Sequence, residues 1–288
     1  MNPTPGNAAA ASERLPRPSE KKIRVALIGC GANAAINHLP VLAASPSIET
    51  AVLVDLALAR AEELAHKYGV PVVSEDYRQI EGLADAAIVA LPNHLHAPVT
   101  IDLLRRGVHV LVEKPMALNT RECDAMIEAA RSSGATLAVG LEFRFCPDCE
   151  FIKRFLAAGL LGRITSFDMR MGLLFSWPVS TDYLFRREQA GGGVLMDFGV
   201  HVLDLLLWWL GDYNNLTYAD DARGGLESNC TLRLEFGGGA AGTVEISRTR
   251  NLRNSCILTG ERGRLEIELW TADPAIRLEI GGDGAVLT

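Results

Sequence analysis

A glycine-rich stretch near the start of the chain has the residue types of a phosphate-binding turn. Residues 29–34 read GCGANA, a GxGxxA pattern that directly follows an apolar, β-branched run. In a strand–turn–helix unit the first glycine allows the tight turn, the second lets backbone amides approach a pyrophosphate, and the helix N-terminus adds partial positive charge. The pattern predicts a dinucleotide site, against the alternative of a glycine turn in an ordinary α/β fold. The residues predicted to contact the cofactor here are Gly29, Gly31, Ala32, Asn33 and Ala34.

A carboxylate at the end of the next apolar run bears on which dinucleotide would bind. Asp55 closes that run, at a position where a carboxylate can accept hydrogen bonds from the adenosine ribose hydroxyls. The same charge repels a 2′-phosphate, no arginine follows Asp55 immediately, and Arg60 comes only about a turn into the following helix. The sequence therefore favours NAD over NADP.

Polar and charged residues also end two later apolar runs. Glu113 and Lys114 follow GVHVLV, and Pro92-Asn93-His94-Leu95-His96 completes and follows DAAIVAL. The C-terminal ends of parallel strands border the ligand crevice of an open α/β sheet, so these side chains are predicted to line it. The alternative for Glu113 and Lys114 is a solvated ion pair at a strand end. The residues assigned to the cofactor from these two runs are Pro92, Asn93, His96, Glu113 and Lys114.

A third constellation lies in GGGVLMDFGVHVLD, residues 191–204. In a helix from about Asp197, the side chains of Asp197, His201 and Asp204 would share one face at i, i+4 and i+7. A carboxylate beside a buried imidazole raises its basicity and fixes its orientation, which suits a general base near neutral pH. The alternative is a core histidine whose hydrogen bonds one of the aspartates satisfies. Gly199 would let a flat ligand approach the helix backbone.

The elements that must position these residues alternate between strand and helix through the first half of the chain. Strands are predicted at 23–29, 49–55, 71–74, 85–92, 108–115 and 135–141, and helices to about 44 and at 57–68, 97–106 and 120–133. This rhythm is typical of βαβ units and a parallel sheet. After about residue 142, helices at 150–158 and 197–210 accompany runs that alternate apolar and polar residues between glycine turns, which indicates an open, largely antiparallel sheet.

The predicted fold class is therefore α/β with two domains. Residues 22–142 form a Rossmann-type, doubly wound parallel sheet that binds the dinucleotide, and residues 143–288 form a C-terminal α/β domain for substrate binding and oligomerisation. A chain of 288 residues exceeds the usual single-domain size, and 48% hydrophobic residues can fill two cores.

Composition excludes several other classes of protein. The net charge is −7, and the 28 Lys and Arg residues are scattered, so no basic stripe is available for nucleic acid. Residues 1–21 are predicted to form a flexible leader, because they are proline-rich and lack the apolar stretch of a secretory signal. The run VHVLDLLLWWL is too short to span a bilayer. A soluble cytoplasmic protein without a nucleic-acid or membrane partner is expected.

The cysteines raise one further alternative. Six cysteines are mostly isolated, and nothing in their spacing indicates an oxidising compartment. Cys146-Pro147-Asp148-Cys149 is a CxxC sequence, which can be half of a zinc site or a redox pair. No second pair follows with zinc-site spacing, so no metal site is predicted and the two thiols are interpreted as reduced cysteines at a helix start.

Several of these motifs together resemble one family of oxidoreductases. AxIGCGxxA, VxVD, PNxxH, VEKPMAL, GGGVLMDFGVHVLDLLLWWLG and ILTGERGRLEI occur in the order and spacing of the glucose-fructose oxidoreductase, inositol dehydrogenase and rhizopine-catabolism (Gfo/Idh/MocA) family. The resemblance covers roughly residues 22 to 270, and EKP and GGGxxxDxGxHxxD are its most specific parts. It implies an N-terminal nucleotide-binding domain and a C-terminal domain whose open sheet covers the active site and forms homo-dimers or tetramers.

The resemblance also implies roles for individual residues. Lys114 would lie against the nicotinamide and the substrate hydroxyl, Glu113 near the nicotinamide ribose, and Pro115 after a cis peptide bond. Asp197 and His201 resemble the acid/base pair of the family. The residues implied in catalysis are Lys114, Asp197 and His201, and those implied in substrate binding are Arg144, Asp197 and His201.

The chain departs from the family pattern in two places. It reads GLEFRF at 140–145, where members carry an Asn- or Tyr-containing segment before Arg-Phe, so Glu142 would change the polarity of the substrate pocket. Members commonly continue past the sheet into a helix that packs back between the domains. A sequence that stops at Thr288 is therefore expected to be a fragment or a short member.

The function predicted from the sequence is an NAD-dependent oxidoreductase acting on a secondary alcohol or ketone of a sugar, sugar derivative or cyclitol. His201, steadied by Asp197, would take the hydroxyl proton while Lys114 stabilises the developing alkoxide, and which of the two is the formal base stays open. Alternatives are an NAD-using epimerase or glycosidase-type enzyme with transient redox, and a non-catalytic NAD- or sugar-sensing regulator. The presence of all three residues argues against the regulator, since binding alone does not require them.

Overall fold

The computed structural model describes residues 21–179, 181–271, 275–281 and 283–287 of the chain. The predicted leader, residues 1–21, lies outside the described residues apart from Lys21. The backbone between these limits forms two sheets, one from each half of the sequence.

The first sheet has six parallel strands in the order β3-β2-β1-β4-β5-β6. Val25 and Leu27 of the first strand pack into the core on one face, and Ala26 and Ile28 pack into the core on the other. Both faces are buried, as a parallel sheet with helices on both sides requires, and the predicted doubly wound fold is confirmed. The strands are β1 Ile23–Ile28, β2 Ile48–Val54, β3 Val72–Ser74, β4 Ala86–Val89, β5 His109–Val112 and β6 Leu137–Val139; the helices are α1 Leu39–Ala44, α2 Leu58–Tyr68, α3 Asn93–Arg105 and α4 Thr120–Ser133.

Two boundaries differ from prediction in ways that affect the site. Strand β5 ends at Val112, so Glu113 and Lys114 lie just beyond the sheet rather than within the last strand residues. Helix α3 begins at Asn93 rather than Ala97, because Pro92 caps it with a φ of −54° and a proline ring fixes φ near the value that leads into a helix. The PNHLH segment is therefore the end of a loop and the first turn of a helix.

The second sheet has eight strands in the order β14-β13-β12-β11-β7-β10-β9-β8. Its strands pair antiparallel except β7 with β10, which are parallel. Burial alternates along the ninth strand, and Cys230, Leu232, Leu234 and Phe236 enter the core beneath two helices. The largely antiparallel C-terminal sheet is confirmed. The bounds are β7 Ile164–Gly172, β8 Tyr213–Asp220, β9 Asn229–Phe236, β10 Ala241–Ser247, β11 Ser255–Gly260, β12 Gly263–Glu268, β13 Ile276–Ile280 and β14 Asp283–Leu287, with helices α5 Pro147–Ala157, α6 Arg187–Ala190 and α7 Val200–Leu210.

The apolar helical run from Arg187 to Leu210 is longer than the sequence suggested. By length and composition it could cross a membrane, whereas VHVLDLLLWWL alone was too short. Its second part, α7, buries Val202, Leu205 and Trp209 against the C-terminal sheet, which is the packing of a core helix. A π-helical turn, Leu195–Gly199, joins α7 to the glycines before it.

Candidate active site

The glycine turn after β1 has the shape that a dinucleotide requires. Gly29 has a φ of +96°, and a Cβ atom there would lie 2.2 Å from the carbonyl oxygen of Ala90, so only glycine fits. At Gly31 a Cβ would meet nothing within 4 Å, which leaves the backbone open on the side where a pyrophosphate would lie. A π-helical turn, Ala34–His38, follows and leads into α1. The local backbone therefore fits the predicted cofactor.

Asp55 stands directly after β2, and its carboxylate organises the same turn. Oδ2 accepts a hydrogen bond from the backbone N–H of Cys30 at 2.8 Å, and Oδ1 accepts one from Ala57 at 2.7 Å. The guanidinium of Arg60 lies 3.5 Å from Oδ2. A carboxylate has further lone pairs, so these contacts leave it able to accept from a ribose hydroxyl. Arg60, which the sequence analysis located about a turn into the following helix, therefore contacts Asp55.

The side chains of the PNHLH segment hold loops together. His96 is 1% exposed, and its two ring nitrogens lie 2.7 Å from the carbonyl oxygen of Pro115 and 2.8 Å from that of Leu91. Asn93 is also buried and donates to the carbonyl of Ala190 at 2.9 Å. The cofactor contacts of Asn93 and His96 stay predictions, and the structure adds that both side chains bond backbone carbonyl groups. They position the loops that border the crevice.

Glu113 pairs with a residue that the sequence analysis did not single out. Its Oε1 lies 2.7 Å from Nε2 of His38, and both side chains are mostly buried. Burial opposes ionisation of Glu113, but the hydrogen bond and charge of His38, with smaller contributions from Asn33 and Lys114, outweigh it and lower the pKa of Glu113. The carboxylate is therefore held ionised beside the glycine turn. Only the fold could reveal His38, which lies far from Glu113 in sequence.

Lys114 is the residue that connects the two halves of the site. Its Nζ donates to Oδ1 of Asp197 at 3.0 Å and to the Asp197 carbonyl at 2.9 Å. The peptide bond between Lys114 and Pro115 is cis, as the resemblance implied. The lysine side chain is 23% exposed, so its ammonium group lies at the edge of a partly open cleft.

Asp197 is shared by two cations. Oδ1 contacts Lys114, and Oδ2 lies 3.5 Å from a guanidinium nitrogen of Arg248. Arg248 follows β10, its side chain is 12% exposed, and it lies over the ring of Phe175 at 5.7 Å. Sequence reasoning missed Arg248 because it stands in a polar stretch, SRTR, with no motif around it.

His201 is buried, but it does not have the environment that was predicted. Within the described part of the chain its Nδ1 has no hydrogen-bond partner. Its Nε2 lies 3.7 Å from Oε1 of Glu142, and its ring contacts Phe143 at a centroid distance of 5.0 Å. Burial and the nearby charge of Lys114 lower the pKa of His201 to about 4. The expectation of a raised basicity is wrong, because burial and Lys114 lower the pKa of His201 by more than the charges of Glu113 and Asp197 raise it. His201 is a neutral imidazole at pH 7.

The predicted helix face is also interrupted. Asp197 lies in the π-helical turn that ends at Gly199, and an extra residue per turn rotates it away from the i, i+4 relation with His201. Asp204, on α7, forms a bidentate pair with Arg144 at 2.6 and 2.8 Å. The guanidinium group of Arg144 also lies over the Trp208 ring, and the substrate contact of Arg144 stays a prediction.

A buried glutamate fixes the glycines that precede Asp197. Oε1 of Glu227 accepts from the backbone N–H groups of Gly193 and Leu195 at 2.9 and 3.1 Å. A Cβ at Gly193 would lie 2.0 Å from the Glu227 carbonyl oxygen. Glu227, 7% exposed, thus positions the turn that carries Asp197, and the need for Gly193 is steric.

Cys146 lies at the border of this site, where its Sγ donates to the carbonyl oxygen of Glu142 at 3.9 Å. Cys149 is buried in the C-terminal core, and burial raises its pKa to about 12. Both are free thiols at the start of α5.

Comparison with known proteins agrees with this architecture. Residues 23–141 match a family described as an oxidoreductase family with an NAD-binding Rossmann fold, and residues 150–266 match the GFO/IDH/MocA C-terminal domain. The chain is 30% identical over 239 residues to trans-1,2-dihydrobenzene-1,2-diol dehydrogenase of Mus musculus, covering 80% of this chain and 70% of that one. It is 32% identical over 194 residues to D-glucoside 3-dehydrogenase of Escherichia coli, covering 66% of this chain and 54% of that one.

A solved structure extends the likeness to three dimensions. Aldose-aldose oxidoreductase from Caulobacter crescentus, in complex with glycerol, superposes with a TM-score of 0.84 at 27% identity, covering 93% of this chain and 84% of that one. The sheet architecture and the sequence matches therefore indicate the same family. The chain belongs to the Gfo/Idh/MocA family of oxidoreductases and has the NAD-binding Rossmann domain of that family.

Proposed function

We propose that this protein oxidises a secondary alcohol of a sugar, sugar derivative or cyclitol, or reduces the corresponding ketone, with NAD as its cofactor. The observation that carries the proposal is the contact of Lys114, just beyond β5, with Asp197 in the π-helical turn before α7. The charge of Lys114 lies close enough to His201 to lower the pKa of the imidazole. The relatives named dehydrogenases of dihydrodiols and glucosides support a polyhydroxylated ring as the substrate class.

The proposal gives different tasks to Lys114, Asp197 and His201. Bound NAD supplies the hydride acceptor at its nicotinamide. The ammonium group of Lys114 donates hydrogen bonds, so it is suited to stabilise the negative charge that develops on the substrate oxygen. The neutral imidazole of His201 can accept the hydroxyl proton. Asp197 and Arg248 keep Lys114 in position, because the carboxylate bridges the two cations.

Glu142 gives the proton a route away from His201. Its Oε1 is 3.7 Å from Nε2, and its side chain is exposed. Partial loss of solvent and the charge of Glu113 raise the pKa of Glu142, which makes it a better proton acceptor than an ordinary glutamate. The departure from the family at residues 140–145 therefore has a use in this proposal.

The cofactor preference, oligomeric state and location belong to the same proposal. Asp55 supports NAD over NADP by like-charge repulsion with a 2′-phosphate. The exposed Tyr213, Leu216 and Tyr218 of β8 support a homo-oligomer formed through the C-terminal sheet. The six cysteines are free thiols, which supports a cytoplasmic location.

The test is a screen of cyclitols, free sugars, glycosides and nucleotide sugars with NAD, followed at the NADH absorbance, on wild type and Lys114→Met. We expect the variant to fold and bind NAD but to lose at least about 100-fold in turnover, because a preorganised charge at a developing alkoxide contributes several kcal/mol. Lys114→Arg is also expected to be poor, since a planar guanidinium cannot occupy the position of an ammonium group. Lys67→Met, on the exposed face of α2, is the matched control.

Three outcomes would contradict the proposal. Wild-type turnover in Lys114→Met would mean that the lysine is only a structural ion-pair partner. Conversion of a sugar without net NADH would instead indicate transient redox, and cofactor binding without any chemistry would indicate a regulator.

A further inference from the structure

Three aromatic rings extend from the predicted base toward solvent. The ring of Phe143 contacts His201 at 5.0 Å, and the ring of Trp270 meets Phe143 edge-on at 5.7 Å. Trp270 also stacks on Phe198 at 4.6 Å, with 26° between the ring planes. Phe198 is the chain neighbour of Asp197. Trp270 therefore contacts two rings, one that touches His201 and one that belongs to the chain neighbour of Asp197.

These rings come from three separate elements and are supported from behind. Phe143 belongs to the short 3₁₀ turn before α5, Phe198 to the π-helical turn before α7, and Trp270 to the segment after β12. Phe143 and Phe198 are half-buried against the C-terminal core. Leu269, the residue before Trp270, is 5% exposed, and its backbone N–H donates to the carbonyl oxygen of Asn254. Two of the rings thus pack on the core, while the outermost, Trp270, is half exposed.

Trp270 is held in a conformation that its side chain disfavours. Its φ is +55°, in the left-handed region, and yet the indole is 51% exposed. A bulky residue in this region costs free energy, and such outliers cluster at ligand-binding sites. Folding gains little from burying this indole, since half of it stays in water. The conformation has the effect of laying the indole over Phe198 at the border of the site.

We propose that Phe143, Phe198 and Trp270 form a ring-binding wall that selects glycosides over free monosaccharides. The inference rests on the proposed function, because it locates the reacting sugar beside His201. The reacting ring would lie against Phe143, and the ring carried by its glycosidic oxygen would stack on Trp270. Aromatic faces bind the apolar faces of rings while the hydroxyl groups at their edges remain free for hydrogen bonds. The wall thus provides the apolar surface that the charged groups of the site lack.

The experiment compares methyl and phenyl β-D-glucopyranoside with the wild-type protein and Trp270→Ala. Both are measured by NADH formation and by calorimetric binding to the NAD-loaded protein. We expect Trp270→Ala to weaken binding and raise KM for the phenyl glucoside about tenfold or more, because burying a ring on an aromatic face is worth at least that factor. The kcat for both compounds and the affinity for the methyl glucoside should change by less than about threefold. Trp270→Phe should recover most of the loss.

Controls separate this subsite from other uses of an exposed indole. Phe151→Ala removes a partly exposed aromatic (38%) on α5, outside the wall, and binding and turnover of both glucosides should stay unchanged. Circular dichroism reports folding, and light scattering reports the oligomeric state. A change in oligomeric state in Trp270→Ala would overturn the inference, since the indole would then be covered by a second copy of the chain.

The remaining outcomes also decide the question. Equal loss for both glucosides, or no loss for either, would overturn the wall as a selective subsite, as would equal wild-type affinity for the two compounds. If the wild type binds the phenyl glucoside more tightly through Trp270 but forms no NADH, the wall stands and the proposed function fails. If NADH forms but the phenyl group brings no advantage, the proposed function stands and the wall fails.

Discussion

The low pKa of His201 predicts how the stability of the folded protein depends on pH. In the folded chain the pKa is about 4, against an ordinary value of 6.5, because the ring is buried and lies near Lys114. At a pH between these two values, His201 therefore binds a proton in the unfolded chain but not in the folded chain. Stability that is fully present above pH 6.5 is lost as the pH falls through 6.5 toward 4. At about 1.4 kcal/mol for each pH unit, the loss amounts to about 3 kcal/mol.

The perturbation that isolates this effect is His201→Gln, which keeps a polar side chain but removes the titration. Urea unfolding of both proteins at pH 7.5, 6.5, 5.5 and 4.5 gives the free energy of unfolding at each pH. We expect the wild type to lose about 2 to 3 kcal/mol more than the variant between the extremes. His96, whose pKa burial also lowers, is present in both proteins and cancels in the comparison.

The result that would refute this reasoning is an equal loss of stability in the two proteins. It would show that His201 titrates alike in the folded and unfolded chains, and an NMR titration of its imidazole near pH 6.5 would then be expected. The same pKa implies that kcat/KM for alcohol oxidation does not fall between pH 7 and 5 through protonation of His201, because the base stays neutral there.

Three further predictions concern the cofactor turn and the support of Asp197. Gly29→Ala should lower the free energy of unfolding by at least about 2 kcal/mol, because φ is +96° and the new Cβ would collide with the Ala90 carbonyl. Gly31→Ala should keep the wild-type stability in urea but weaken NAD binding. Equal behaviour of the two variants would contradict the different roles given to these glycines in the cofactor turn. Asp55→Asn should narrow the preference for NAD over NADP by on the order of 1 to 3 kcal/mol in calorimetry, and a wild type with equal affinity for both cofactors would remove the basis of this claim. Glu227→Ala should lower the free energy of unfolding by about 1 to 3 kcal/mol for each amide left unpaired, and it should lower turnover. Glu227→Gln keeps the accepting oxygen and should have nearly wild-type stability and turnover. Similar losses in both variants would show that the charge of Glu227 matters.

The parts of the fold that could be predicted are those in which burial imposes a pattern on the sequence. Alternating helical and β-branched runs gave the first sheet, and α4 begins at Thr120 as predicted, since Asn119 and Glu122 supply its cap. Strand β8 was missed because every residue in Tyr213–Asp220 is exposed and no alternation marks it. An edge strand is specified by its pairing with β9, which the local sequence does not encode.

The candidate site also has a part that the sequence predicted and a part that it did not. Motifs drew attention to Lys114, Asp197 and His201, and the structure brings the first two into contact. The partners of these residues could not be inferred, because His38 and Arg248 reach the site only through the tertiary fold. The environment of His201 was predicted wrongly for a local reason: regular helix spacing was assumed where a π-helical turn occurs.

The contact between Lys114 and Asp197 has a consequence for the way the protein loses activity. The lysine follows a strand of the first sheet, whereas the aspartate belongs to the helical run that packs on the second sheet. A small rotation of one half against the other would break this contact while both hydrophobic cores stayed intact. On the proposed mechanism, turnover therefore depends on how the two halves dock and not only on the folding of each half. Mild denaturants are expected to abolish turnover at concentrations at which the secondary structure of both halves is still complete.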